Sequence, residues 1–333
     1  MTQSPRYDVC AVGNAIVDVL APCTPEFLAK QKLVAGSMQL VDEVQSAALY
    51  EVMEQGVEAS GGSAGNTVAG VGSFGGRAAY IGKVAEDGLG QVFTRDIRAS
   101  GVAFETAPLT DGPGTGRCLI NVTEADGQRT MCTFLGAANQ LTADDIDEAL
   151  IADSAIVYLE GYLIDPAPAR AAFERAAEAA HKAGRKVAIT LSDSFVVNRW
   201  KAELLAFIEQ SADIVLANEA ELEALYSLPF DEGIAKLAAS VDVAAVTRSE
   251  HGSVVARGDE RAVVAAYPVD KVIDTTGAGD QYAAGLLLGL ARGLSLEEAG
   301  KLGSLAASEV IAHWGPRPAV KLEELAKANG LRL

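Results

Sequence analysis

The residues whose types and spacing most plainly offer chemistry are Asp274-Thr275-Thr276-Gly277-Ala278-Gly279-Asp280, followed at once by the apolar run 281–290. Val272 and Ile273 read as the end of a β-rich approach, the glycines permit a tight turn, and the run after them has helical length. Strand, glycine loop and helix in that order aim amide N–H groups and the positive end of a helix dipole at an anion such as phosphate. Asp280 sits among those donors, where a carboxylate can take a proton from an incoming hydroxyl. The plainer alternative is a helix cap. Two glycines between two acids are less common than a cap, which favours the chemical reading.

Three further groups could serve the same reaction. Ser60-Gly61-Gly62-Ser63-Ala64-Gly65-Asn66 is a second glycine loop entering a small-residue helix, where backbone could approach a ligand and Asn66 could donate and accept; close helix packing selects the same residues. Asn14 and Asp18 emerge where a first strand, 7–13, would end, the edge at which open sheets bind ligands, although turn chemistry explains Asn14 equally well. Asn218 and Glu221, three apart after the strand 214–217, would share a helical face and could orient magnesium through water; an N-cap Asn with first-turn acids accounts for the same spacing.

The elements that must position these groups alternate between strand and helix. A core strand at 78–84 leads through a turn into a helix at 91–100. From residue 140 come a helix near 142–151, strand 155–159, helix 166–183, strand 186–191, helix 199–210 and strand 214–217, and then the pair of strands within 243–256. This recurrence predicts an α/β fold with a doubly wound, mostly parallel sheet and helices on both faces. Helices near 295–313 and 321–328 would close it, leaving His313 as a helix-end residue. Residues 102–135 break the rhythm, with alternating Thr, Val, Cys and Phe and turn pairs Asp111-Gly112 and Asp126-Gly127. They read as a hairpin that, with the short pieces of 24–45, forms a small β lid able to exclude water from a reacting phosphate. The expected division is 1–17, 52–101 and 137–333 for the large domain, and 18–51 with 102–136 for the lid.

Composition bounds the partners. Among 333 residues, 45 are acidic and 27 basic, a net charge of −18 that argues against nucleic acid or an anionic membrane as partner. A phosphorylated ligand would therefore need local donors or a metal. The N-terminus has no basic segment leading into an apolar one, no run is long enough to span a membrane, and Cys10, Cys23, Cys118 and Cys132 have neither disulfide-framework nor zinc spacing. These features suggest a reduced, cytoplasmic compartment.

In this order, the motifs resemble those of the ribokinase or PfkB family of carbohydrate and nucleoside kinases, over essentially the whole chain. The segment 274–280 is similar to its C-terminal signature, 61–66 to its N-terminal glycine signature, and Asn218-Glu219-Ala220-Glu221 to its Asn-x-x-Glu element. The resemblance implies a ribokinase-like fold and a kinase that uses ATP and Mg²⁺, with a monovalent cation as an open addition. It implies Asp280 as general base and the amides of Gly277, Ala278 and Gly279 as the anion hole. Asn14, Asp18, Gly61, Gly62 and Asn66 would hold substrate hydroxyls. Asn218, Thr247, Gly252 and Thr275 would join Gly277 and Gly279 along the nucleotide, with Glu221 meeting the metal through water.

Within the family, strings 13–18, 158–163 and 191–195 resemble bacterial adenosine-kinase-like members. That likeness implies phosphorylation of the 5′-hydroxyl of adenosine to AMP, a purine-salvage reaction, by a monomer or homodimer. Phe134 on the lid and Phe195 are the candidate walls for a base. A sugar kinase acting on ribose, fructose or a keto-deoxy sugar acid is the alternative, and a catalytically silent nucleoside-binding protein is a third. Two departures stand out: Ser249 where the family commonly has glycine, and Gln281-Tyr282 in place of Ala-Phe after the base.

Overall fold

The computed structural model describes residues 4–123 and 128–333, and all structural statements concern these. The turn pair Asp126-Gly127 lies outside them. In chain order the strands are β1 (Tyr7–Val12), β2 (Ile16–Cys23), β3 (Met38–Leu40), β4 (Val57–Ser60), β5 (Ala78–Ile81), β6 (Val102–Phe104) and β7 (Thr115–Thr123). They continue with β8 (Arg129–Gly136), β9 (Ser154–Glu160), β10 (Lys186–Thr190), β11 (Ile214–Asn218), β12 (Val243–Thr247), β13 (Ser253–Arg257) and β14 (Glu260–Val264).

Nine of them form one sheet in the order β14-β13-β12-β11-β10-β9-β1-β5-β6, parallel from β12 to β6 and antiparallel at the β13 and β14 edge. Parallel neighbours require crossovers, so helices must cover both faces. Alternation along β1 shows both cores. Val9 and Ala11 pack with helices Ser63–Ser73, Ala278–Ala291 and Leu296–Val310. Cys10 and Val12 pack with Ala167–Lys182, Lys201–Ser211 and Phe230–Ser240. The sequence is nearly all apolar in these strands because both faces are dry. Among the described residues no helix is long and apolar enough to cross a membrane.

The other five strands form a second sheet in the order β3-β8-β7-β2-β4. One of its faces, with Val17, Val19, Leu119 and Cys132, is buried together with Leu49 of helix Glu43–Val52. The chain passes between the sheets at Gly13-Asn14-Ala15 and again at Gly61-Gly62, so two of the suspected loops are the joints between them.

Several sequence expectations need correction. β4 falls in the stretch assigned to the large domain but pairs with β2 in the small sheet, whereas β6 falls in the lid stretch but pairs with β5 in the large one. Residues 24–45 contain helix Pro25–Lys30, capped by Thr24, and the start of Glu43–Val52, opened by an Asp42/Gln45 capping box. The helix expected near 142–151 is a 3₁₀ turn, Ala143–Asp145, and a short helix, Glu148–Ala152, whose start Asp147 caps. Trp200 divides the helix expected at 199–210 into Ser194–Arg199 and Lys201–Ser211. No residue from 265 to 275 joins a strand. That approach segment has no ladder beside it; Ile273 N bonds Ile311 O at 2.8 Å.

Candidate active site

The motif at 274–280 enters helix Ala278–Ala291 through Gly277, which has φ 79°. A Cβ there would stand 2.6 Å from Pro316 Cα, so both conformation and space demand glycine. The Ala278 amide turns back to Thr275 O at 3.2 Å, and Gln281 N is the first to close on Gly277 O, at 2.8 Å. The N–H groups of Gly279 and Asp280 therefore lead the open end of the helix, whereas that of Ala278, expected in the anion hole, is partly engaged. No heavy atom lies within 4 Å of where a Cβ of Gly279 would be, so this end is approachable.

Asp280 is held from another element altogether. Ser63 Oγ donates to Oδ1 at 2.6 Å and Asn66 Nδ2 to Oδ2 at 3.0 Å, both from helix Ser63–Ser73. Burial raises its pKa above the ordinary carboxylate value, against those hydrogen bonds and the charge of Arg317. The second acid, Asp18, projects from β2 and is 8% exposed. Burial pushes it up to about 7, with Arg317 opposing, Asp280 adding and Arg129 opposing. Its carboxyl lies where a Cβ of Gly61 would be, and a Cβ of Gly62 (φ 82°) would run into Asn14 O. The glycine pair is thus what lets Asp18 and the 61–66 loop share one place.

Asn14 does not stand free. Its Nδ2 donates to Glu160 Oε1 at 2.7 Å and its backbone N to Oε2 at 3.3 Å, and Ala64 N donates to the same Oε2 at 2.9 Å. Asn14 Oδ1 is left buried and without a partner. Glu160, pushed up to about 7 mainly by burial, thereby orients an amide at the end of β1. No role was legible for Glu160 in the sequence, though an acid ending a buried strand at the ligand edge was a usable signal.

The lid has two faces, and strand register sorts its residues between them. Asp18 pairs with Cys118 and Cys118 with Thr133, so Thr133, Met131 and Arg129 point the same way as Asp18. Phe134 pairs with Arg117 and points the opposite way, toward the face that carries Leu119 and Cys132. The expectation that Phe134 forms the base wall is thus corrected: it is one residue out of phase. Leu40 and Met38 of β3 pair with Thr133 and Met131, are 64% and 56% exposed, and lie on the Asp18 face with Ile120. Phe195 is 70% exposed on helix Ser194–Arg199.

Of the lid arginines, Arg117 is spent on the covered face, donating to Ser46 Oγ at 2.7 Å. Arg129 reaches across to the motif, with an ion pair to Asp274, a hydrogen bond to Thr276 Oγ1 at 3.0 Å and its guanidinium 5.3 Å from the Trp314 ring centroid.

Asn218 and Thr247 are register partners at the ends of neighbouring strands, which brings two of the expected nucleotide residues together. Asn218 and Glu221 form a capping box: Asn218 Oδ1 accepts from Glu221 N at 2.8 Å, and Glu221 accepts Asn218 N at 3.0 Å and Nδ2 at 2.7 Å. Burial pushes Glu221 up to about 7, Asn218 opposing and Asp193 adding. Gly252 has φ 79°, and Ser249 has φ 50°, a left-handed conformation in which glycine would be at ease. Thr275 is exposed beside the helix start. The other departure is accommodated by new partners: Gln281 Nε2 donates to Asn66 O at 3.1 Å and Pro316 O at 3.0 Å, and Tyr282 Oη donates to Ser253 Oγ at 2.8 Å.

The chain as a whole, with this acid-bearing loop and lid, is similar to known proteins. Residues 34–322 match the pfkB family carbohydrate kinase domain. An adenosine kinase of Sinorhizobium meliloti of solved structure is 51% identical with a TM-score of 0.89, covering 97% of this chain and 99% of its own. A structure described as a probable sugar kinase from Rhizobium etli is 47% identical with a TM-score of 0.91, covering 98% and 100%. The Saccharomyces cerevisiae adenosine kinase is 28% identical over 333 residues, 92% of this chain and 95% of its own. The chain belongs to the pfkB family of carbohydrate kinases, phosphotransferases that act on hydroxyl groups.

Proposed function

We propose that this kinase transfers the γ-phosphoryl group of ATP to the 5′-hydroxyl of adenosine, giving AMP and ADP. The observation that carries the substrate is the lid face. Asp18, an acceptor for ribose hydroxyls, shares that face with Leu40, Met38 and Met131, an apolar surface suited to the flat face of a base. Asp280, whose pKa burial raises, takes the hydroxyl proton as that oxygen attacks the γ-phosphorus and ADP leaves. The amides leading helix Ala278–Ala291, those of Gly279 and Asp280 foremost, face the charge on the transferring oxygens. Asn66 and Asn14 Oδ1 complete the ribose contacts. Asn218, Thr247, Gly252 and Thr275 line the nucleotide.

Both Glu221 oxygens are engaged by Asn218, so magnesium arriving with ATP would meet this cap through its own waters. When bound, that ion neutralises phosphate charge.

The likeness to a probable sugar kinase supports a second reading, a sugar kinase on the same site. A sugar acid fits least, because Arg117 faces away and Arg129 is paired with Asp274. Incubation with Mg-ATP and a panel of nucleosides, ribose, fructose and keto-deoxy sugar acids decides between them. Adenosine turnover at a kcat/KM at least a hundred-fold above any sugar is the expected result; turnover of a sugar alone would replace the reading.

A further inference from the structure

Arg317, in the Trp314-Gly315-Pro316-Arg317-Pro318 loop that follows helix Leu296–Val310, had no assignable role in the sequence. Its side chain is largely buried, 19% exposed. Nε donates to Asn66 Oδ1 at 3.4 Å, Nη1 donates to Ser100 Oγ at 3.2 Å and lies 3.5 Å from Asp96 Oδ2, and Nη2 is buried without a partner. Asn66 has only one way to satisfy this neighbour: with Oδ1 toward a pure donor, its Nδ2 must point the other way, where it meets Asp280 at 3.0 Å. The chain Arg317, Asn66, Asp280 therefore fixes an amide orientation that a free Asn could reverse.

We propose that Arg317 is a positioning residue of the phosphoryl transfer, holding Asn66 so that it donates to Asp280 and supplying a cation that both Asp280 and Asp18 face. This rests on the kinase reading above for its consequence on rate, though not for its consequence on the acids themselves. Charged and titratable groups around the cluster come from every packed element. They are Asp18 on β2, Tyr80 on β5, Asp96 on helix Gly88–Ala99, Arg129 on β8, Tyr158 and Glu160 on β9, and Asp280 itself. Arg317 opposes the burial that raises both Asp18 and Asp280, and Arg129 reaches only Asp18 among the two. Removing the guanidinium leaves Asp280 with hydrogen bonds alone to keep it ionised. The unpartnered Nη2 is a donor left over for the bound substrate's oxygens.

The test uses Arg317→Gln and Arg317→Lys in the full chain. Carboxyl titration followed by ¹³C-aspartate NMR, which needs folded protein and no turnover, reads the acids directly. In Arg317→Gln the Asp280 and Asp18 titrations are expected to move up by about one pH unit, the size of effect of an opposite charge at this range. In the rate assay, the acidic limb of kcat/KM for the nucleoside moves up by the same amount, a loss of about ten-fold below the limb that shrinks as pH rises. KM for ATP stays within about two-fold. Arg317→Lys keeps a charge but not the planar fork. Its titrations stay near those of the parent, while kcat falls several-fold because Asn66 is no longer held.

Unmoved carboxyl titrations in Arg317→Gln, or a loss of rate equal at every pH, overturn the proposal. If Arg317→Gln does not fold, an unchanged kcat in Arg317→Lys overturns it. A parent protein that titrates as described but phosphorylates neither nucleoside nor sugar overturns the kinase reading instead and leaves the electrostatic role standing.

Discussion

Two helices begin at the ligand edge with an acid at the third helical position, and they could hardly use it more differently. In helix Glu219–Tyr226 the acid is Glu221, and its N-cap, Asn218, has a side chain; the two close on each other in a reciprocal box that satisfies the first turn. In helix Ala278–Ala291 the acid is Asp280, and its N-cap, Gly277, has none. Asp280 therefore cannot complete a box. It is left for Ser63 and Asn66, 217 and 214 residues away in sequence, while the amides of its own helix stay open. The same local pattern makes a closed cap in one place and, in the other, a carboxylate held by a distant helix beside open amides, and the deciding difference is one missing side chain.

The largest effect expected from this contrast is at Asp280. Asp280→Asn removes the proposed proton acceptor and should lower kcat by about 10²-fold to 10⁴-fold, the usual range for losing a general base. Because burial disfavours the charge it removes, the melting temperature should stay within a few degrees of the parent. Steady-state kinetics beside thermal unfolding check both; turnover within ten-fold of the parent would place the base elsewhere.

Next comes the residue that keeps the helix start open. Gly277→Ala puts a side chain at φ 79° and within 2.6 Å of Pro316 Cα, which should cost at least about 1–2 kcal/mol from the backbone alone. A lower melting temperature with a raised KM for ATP is the expected pair. Full stability with normal KM would mean that the loop does not need its left-handed turn.

The closed cap should respond on a smaller scale. Asn218→Ala removes the acceptor for Glu221 N and should cost about 1 kcal/mol of stability, measured by denaturant unfolding. If its activity falls as far as that of Asp280→Asn, the contrast between the two helix starts is wrong.

Much of this was legible in the sequence, and what was not has a physical reason. Local signals located both helix starts, the two glycine loops and the parallel alternation, because turn chemistry and apolar period act over a few residues. They could not say which acid is spent on its own helix: Glu221 and Asp280 look alike until Ser63 and Asn66 arrive from another part of the chain. Phe134 failed for a different reason. With a period of two, a wall residue named one position off lands on the opposite face, and only the register of β7 with β8 fixes the phase. The roles of Arg317 and Glu160 were hidden because each acts on an amide, Asn66 and Asn14, that lies far away in sequence, although the position of Glu160 at a strand end was itself a signal. β4 and β6 were exchanged between domains because strands of four and three residues carry too little pattern to show which sheet they join.

The finest test of the contrast is Glu221→Gln, whose one amide oxygen can still accept Asn218 N as in a capping box, while its NH2, like the O–H of a neutral carboxyl, cannot accept Asn218 Nδ2. Glu221 is raised from 4.5 to about 7 in the folded protein, so the fold binds a proton more tightly than the unfolded chain does. Its contribution is fully present below pH about 4.5 and is lost as pH rises through about 7, where a buried charge must form. Asp18 and Glu160 impose the same trend and remain in the variant, so the informative quantity is the difference between the two unfolding curves. Near pH 4 the parent and Glu221→Gln should melt together; by pH 8 the variant should be equal or more stable by up to a few degrees. A variant that is less stable at pH 8 would show that the ionised carboxylate is a net asset to the apo fold. Glu221 would then resemble Asp280 more closely than its closed box suggests.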